Sequence, residues 1–155
     1  THLMLQLMQG KVKGQRIVDI GCGSGILSLA ALQLGAASAM GIDIDPEAIE
    51  HAQKNAELNQ LDAVFGVDFS REMPADQVLL MNMILPEQKI VMQQSELLNR
   101  AAKTWITSGI LIAQRNEYYA LTRQWGWTLK KESQRGEWLG MVFEGCITTD
   151  QKLGF

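Results

Sequence analysis

The chain has 155 residues, 46% apolar and 20% charged, with a formal net charge of −3, the size and balance of one globular domain around one core. Its mildly acidic surface argues against direct nucleic-acid binding, and no apolar run approaches the roughly 20 residues needed to cross a bilayer. The two cysteines, Cys22 and Cys146, are too few for a disulfide framework or a metal cluster, so no metal site is expected and a reducing, cytoplasmic setting fits.

Residues 1–10 carry neither the basic flank nor the cleavage pattern of a secretory leader. Beyond them, short apolar runs alternate with longer helical patterns, which predicts strand–helix units on a largely parallel sheet. A strand over 16–20 enters a glycine turn. Residues 26–34 continue as a helix, with Leu27, Ala30, Ala31 and Leu34 on one stripe and Gly35 as the stop. A second strand spans 39–44. Asp45 then reads as an N-cap and Pro46 as the first helical residue, with Glu47 and Glu50 at the positive end. Ile49, Ala52, Ala56 and Asn59 recur at helical spacing, and the helix fades near Gln60.

Strands follow over 63–67 and 77–81, the second apolar almost throughout and therefore central. A helix over 87–101, a strand over 104–113 and a helix over 116–125 lead to two further strands, 127–132 and 138–147. With no helix between them, these two pair as an antiparallel hairpin. The predicted fold is a Rossmann-like, doubly wound α/β domain with seven strands, mostly parallel, and an antiparallel edge hairpin.

The strongest chemical signal is Asp19-Ile20-Gly21-Cys22-Gly23-Ser24-Gly25 between a strand and a helix. Gly21, Gly23 and Gly25 let the backbone turn tightly and approach a ligand, and the turn opens onto a helix N-terminus with free N–H groups. The dinucleotide fingerprint wants a glycine where Ile26 stands, and a phosphate-cradling loop wants a Lys followed by Ser or Thr. Neither is present. Asp43, at the tip of the next strand, is placed to accept both hydroxyls of a ribose, while Asp45 reads as the cap. Asp19 braces the loop or bonds the amino group of a cofactor.

Asn82 follows a central strand, at the carboxyl end of the sheet where open α/β folds bind ligands. Its amide oxygen can orient an acceptor amine; the plainer reading is a strand-end turn residue. Asp68, after the third strand, reads on its own as a solvent-facing turn residue. Cys22 reads as a packed residue, His51 as exposed on a helix, and the eight methionines and four tryptophans as packing. Lys130, Lys131 and Arg135, interrupted by Glu132 and Glu137, read as a solvated edge.

Residues 18–59, VDIGCGSGILSLAALQLGAASAMGIDIDPEAIEHAQKNAELN, resemble the cofactor half of the bacterial ribosomal protein L-eleven methyltransferases, the PrmA family. Thr1-His2-Leu3 resembles the end of that family's threonine-rich segment, which implies that Thr1 contacts the cofactor. Asn82-Met83-Ile84-Leu85 resembles the family's Asn-Ile-Leu segment with Met83 added, and implies Asn82 in the cofactor pocket. Ser108-Gly109-Ile110-Leu111 with Gln114, then Glu137-Trp138, resembles its C-terminal pattern. Pro86-Glu87-Gln88 departs from it. The family's separate N-terminal recognition domain has no room here, so a single methyltransferase domain over 1–155 is expected.

The resemblance implies S-adenosylmethionine as cofactor, methyl transfer to nitrogen as the reaction, and a protein amine, such as one in a ribosomal protein, as acceptor; a small molecule is the alternative acceptor. Related methyltransferases place an acceptor for the adenine amino group after the third strand, which implies that role for Asp68 beside the turn reading. Three rival readings are a methyltransferase for another acceptor, a non-catalytic module that binds the same cofactor, and a nicotinamide-dependent oxidoreductase.

Overall fold

The computed structural model describes residues 1–68, 77–94 and 102–145. In chain order the elements are α1 (His2–Met8), β1 (Arg16–Ile20), α2 (Ile26–Gln33), β2 (Ser38–Ile42), α3 (Pro46–Asn59), β3 (Val64–Gly66) and β4 (Gln77–Asn82). There follow α4 (Leu85–Gln94), β5 (Ala102–Leu111), a 3-10 turn (Ile112–Gln114), α5 (Arg115–Gln124), β6 (Trp127–Arg135) and β7 (Trp138–Gly145). The later parts of the predicted 87–101 helix and 138–147 strand, and Cys146, lie outside the described residues.

One seven-stranded sheet runs β3-β2-β1-β4-β5-β7-β6. The first five strands in that order are parallel neighbours, and β7 is antiparallel to both β5 and β6. The hairpin therefore forms as expected, with its second strand inserted between β5 and the edge. Strand β1 pairs β2 on one side and β4 on the other, so the winding direction reverses there. That reversal opens a crevice beyond the carboxyl ends of the strands.

Alternation along β1 and β4 divides the core between the two faces of the sheet. Ile17, Val78, Leu80 and Ile106 meet Met4, Leu7, Met8, Leu27 and Ala31 on one face. Val18, Ile20, Leu79, Met81 and Trp105 meet Leu85, Met92 and Tyr118 on the other. Trp105 is fully buried, its ring centroid 5.4 to 6.3 Å from those of Phe143, Trp127, Tyr118 and Trp125. Three of the four tryptophans thus form or flank the core, as packing predicts; Trp138 is 44% exposed.

The sequence does not announce α1. Its seven residues are too few to be stable alone, and docking holds it: Leu3, Met4, Leu7 and Met8 are all buried. The stripe predicted for α2 holds in part. Leu27 and Ala31 are buried and Ala30 is half-buried beside them, but Leu34 lies past the helix and is exposed. Ser28 and Leu29 are buried as well, Leu29 against Ile49 and Ala52 of α3. Gly35 does end it, with φ +90° and N–H bonds from Gly35 to Leu32 O and from Ala36 to Ala31 O. Asp45 caps α3 as predicted, accepting from Glu47 N at 3.0 Å.

Candidate functional site

Gly21, Asp43, Asp68 and Asn82 come together around a cavity of about 700 Å³ at the carboxyl ends of β1 to β4. Ile44, Val67, Met83 and Glu87 also line it. A second cavity of similar volume, about 700 Å³, lies beside it between Thr1, Asn82, Ser108, Gly109, Arg135 and Trp138. Asn82, Met83 and Glu87 line both. Asn82, Met83 and Glu87 therefore stand where contents of the two cavities would meet, and Asn82 is the one of the three with a neutral amide to offer there.

Each glycine of the loop has its own reason to lack a side chain. A Cβ on Gly21 would lie 2.7 Å from the Met83 Sδ, and one on Gly25 would lie 2.8 Å from the Phe65 ring and 3.1 Å from the Ala52 Cβ. Gly25 is thus a packing requirement beneath the loop. At Gly23 a Cβ would meet no protein atom within 4 Å, which leaves open space over the loop. All three have positive φ, from +52° to +78°, a region costly for other residues.

Fewer loop N–H groups are free than the motif suggests. Gly21 N and Cys22 N donate to Ile42 O at 2.8 and 3.0 Å. Gly23 N donates to Asp43 Oδ2 at 2.9 Å, and Asp45 N to Asp43 Oδ1 at 3.1 Å. Asp43 thereby ties the loop after β1 to the end of β2. Each of its oxygens keeps a further lone pair for a ligand hydroxyl.

Asp19 lines neither cavity; it is 1% exposed. Its Oδ2 accepts from Ser28 N at 3.1 Å and from Ser28 Oγ at 2.8 Å, supplying the cap that Gly25 cannot give α2. Its Oδ1 is buried with no hydrogen-bond partner. Burial raises the carboxyl to about 6, the Ser28 bonds oppose this, and the negative Asp43 adds to it. Bracing is the part of the Asp19 reading that the geometry displays. Cys22 is buried and its thiol is pushed up to about 12, first by desolvation and then by the Asp19 and Asp43 charges. A thiol so protonated is a packed residue and a poor nucleophile.

Thr1 lines the second cavity, across Asn82 from Asp43 and Asp68. Sequence reasoning missed Ile44, 92% exposed beside the crevice, although an apolar residue between two strand-tip aspartates was a signal. It also passed over Glu87 and Gly109, which line the cavities from α4 and β5.

A family model described as ribosomal protein L11 methyltransferase (PrmA) matches residues 1–145. The ribosomal protein L11 methyltransferase of Chromobacterium violaceum is 40% identical over 129 residues, covering 81% of this chain and 42% of the relative. That of Aeromonas hydrophila is 34% identical over 159 residues, covering 99% of this chain and 51% of the relative. The chain therefore spans about half the length of the curated relatives it matches. Among solved structures, a ribosomal protein L11 methylase from Lactobacillus delbrueckii subsp. bulgaricus superposes with a TM-score of 0.80 at 24% identity, covering 92% of this chain and 76% of that one. A magnesium protoporphyrin IX methyltransferase from Synechocystis, solved with bound SAM, gives 0.70 at 16% identity over 92% and 74% of the two chains. At those identities the likeness establishes the fold.

Proposed function

The chain belongs to the ribosomal protein L11 methyltransferase (PrmA) family, and from that premise we propose that it is a cytoplasmic S-adenosylmethionine-dependent methyltransferase acting on a protein amine. The observation that carries the proposal is the junction of two cavities at Asn82. One cavity suits the nucleoside of the cofactor, and the other its amino-acid end and the acceptor.

The residues fit the cofactor. Asp43 presents a carboxylate to the ribose hydroxyls, and Asp68 presents one further along the crevice for the adenine amino group. Ile44, Val67 and Ile90 are 92%, 52% and 54% exposed around the same cavity, an apolar surface that a flat base would cover. The open space at Gly23 admits the ligand to the loop, and Thr1 is assigned to the cofactor's amino-acid end from the second cavity. When bound, S-adenosylmethionine supplies the electrophilic methyl group.

The protein's part is largely positioning. An amine is nucleophilic only when neutral, and its lone pair must point at the methyl carbon from about 3 Å. Asn82, accepting an N–H of the amine through its amide oxygen, would fix that direction without stabilising the protonated form as a carboxylate would. Substituting Asn82→Asp is therefore expected to slow turnover at neutral pH, with partial recovery as pH rises and the acceptor deprotonates. Turnover is read as S-adenosylhomocysteine release with purified ribosomal protein L11 as acceptor, and mass spectrometry locates the methyl group. Cofactor binding without any turnover, on this or any protein in an extract, would reduce the chain to a binding module.

A further inference from the structure

Gln88 is fully buried on α4, directly beneath the junction, and its side-chain amide has no unused hydrogen-bonding group. Nε2 donates to Met83 O at 2.7 Å and to Ser108 O at 2.9 Å. Oε1 accepts from Thr107 Oγ1 at 3.1 Å and from the Tyr118 hydroxyl. Two donors and two acceptor sites are all that a primary amide offers. The flipped amide would set its oxygen against two carbonyls, so the network fixes its orientation.

The Met83 carbonyl needs such a partner. Pairing between β4 and β5 ends at Asn82 and Ser108, so the next carbonyl has left the ladder. At that point the chain passes directly over β5: a Cβ on Gly109 would stand 2.2 Å from Met83 O, and Gly109 has φ +96°. On the other side the Met83 thioether rests on Gly21 of the glycine loop. Asn82 and Met83 line both cavities, so whatever fixes Met83 also fixes how Asn82 faces the junction.

We propose that Gln88 is a positioning residue for methyl transfer: by holding the Met83 carbonyl against β5 it sets the Asn82 amide between cofactor and acceptor. The proposal rests on the transferase reading above. Gln88 touches neither cavity and acts through the backbone of Met83. Its four bonds draw on β5, α5 and the turn after β4, a wider span than packing alone would need. Thr107 and Tyr118 serve it in turn by occupying Oε1, which keeps both N–H groups aimed at carbonyls.

The test compares Gln88→Leu and Gln88→Glu with the wild type in the full chain. S-adenosylmethionine affinity is measured by calorimetry, and turnover on purified ribosomal protein L11 by S-adenosylhomocysteine release. Gln88→Leu is expected to lower kcat about 10- to 100-fold, the scale of a misplacement near 1 Å, while cofactor affinity falls by much less, since Asp43 keeps its own bonds to Gly23 N and Asp45 N. Gln88→Glu should be slow when ionised, because a carboxylate would face two carbonyls. Its rate relative to the wild type should rise as pH falls and the buried carboxyl regains a proton to donate. That recovery carries the test if Gln88→Leu does not fold. Wild-type kcat in folded Gln88→Leu, a Gln88→Glu rate relative to the wild type that does not change with pH, or a parallel loss of cofactor affinity and kcat, overturns the proposal. If the wild type binds cofactor but methylates nothing, the transferase reading fails and the positioning claim is decided by crystal structures of the two chains. Asn82 unmoved in Gln88→Leu would refute it, and Asn82 turned out of the junction would uphold it.

Discussion

Asp43 joins two strand ends by accepting Gly23 N and Asp45 N, so the carboxylate is oriented before a ligand arrives. Preorganisation of that kind lowers the ordering cost of binding. Asp43→Ala is expected to weaken S-adenosylmethionine binding by about 1.5–3 kcal/mol, the scale of lost hydrogen bonds to a charged group, and calorimetry on the folded variant measures it. Asp19 makes a different prediction. Its folded value near 6 lies above the unfolded value near 4, so between those pH values the native state holds the proton more tightly. Its contribution favours the fold at low pH and is lost as pH rises through about 6, on the order of 3 kcal/mol at most. Asp19→Asn keeps an oxygen for Ser28 and cannot ionise. Urea denaturation at pH 5 and pH 8 should show the wild type losing ground to Asp19→Asn at the higher pH; a gap that does not change removes the buried charge from the account. The motif identified both aspartates, with Asp43 at the crevice and Asp19 as a brace or a cofactor contact, but the partner of the brace was not legible in it. Which carboxylate braces and which faces the crevice depends on the packing of Ser28 and on the turn of the chain after β2.

Elements whose signals are local were readable from the sequence. Asp45-Pro46 starts α3, Gly35 ends α2, and the apolar run of β4 lies at the sheet centre. What was not readable depends on partners far along the chain. The insertion of β7 between β5 and β6 follows from side chains such as Leu139, Met141 and Phe143 filling the core beside Trp105, which no local pattern states. Helix α1 is the clearest instance, because its residues become a helix only against β5 and β7. Leu7 is 1% exposed there, and Gly140 leaves room for it: a Cβ at 140 would lie 2.9 Å from Leu7 Cδ1. Leu7→Ala is expected to destabilise the fold by about 2–5 kcal/mol through the cavity left behind, measured as a shifted urea midpoint at unchanged slope. Thr1, His2 and Leu3 line the second cavity, so loosening α1 should also reduce turnover, and cofactor affinity with it through Thr1. Full activity and full affinity in a destabilised Leu7→Ala would detach α1 from the site.

At the scale of the whole molecule, the first cavity is assembled from the ends of four strands, β1 to β4, and from α4. A ligand seated there touches segments more than 60 residues apart in sequence, from Gly21 to Gln94, and those segments lie together only in the native state. Such a ligand stabilises the fold by mass action, by about 2.7 kcal/mol at 100 times its Kd. For a domain of about 150 residues, each kcal/mol is worth roughly 2–4 °C, so saturating S-adenosylmethionine should raise Tm by about 5–11 °C. The shift should grow with the logarithm of ligand concentration, and at the same concentration Asp43→Ala should show a smaller one. Nicotinamide dinucleotide should shift Tm little, because Ile26 occupies the place where its fingerprint needs glycine and is itself 52% exposed at the start of α2. A larger shift with the dinucleotide than with S-adenosylmethionine would assign the crevice to hydride-transfer chemistry, whatever the family. Equal and negligible shifts with both would mean that the crevice does not hold a nucleoside cofactor.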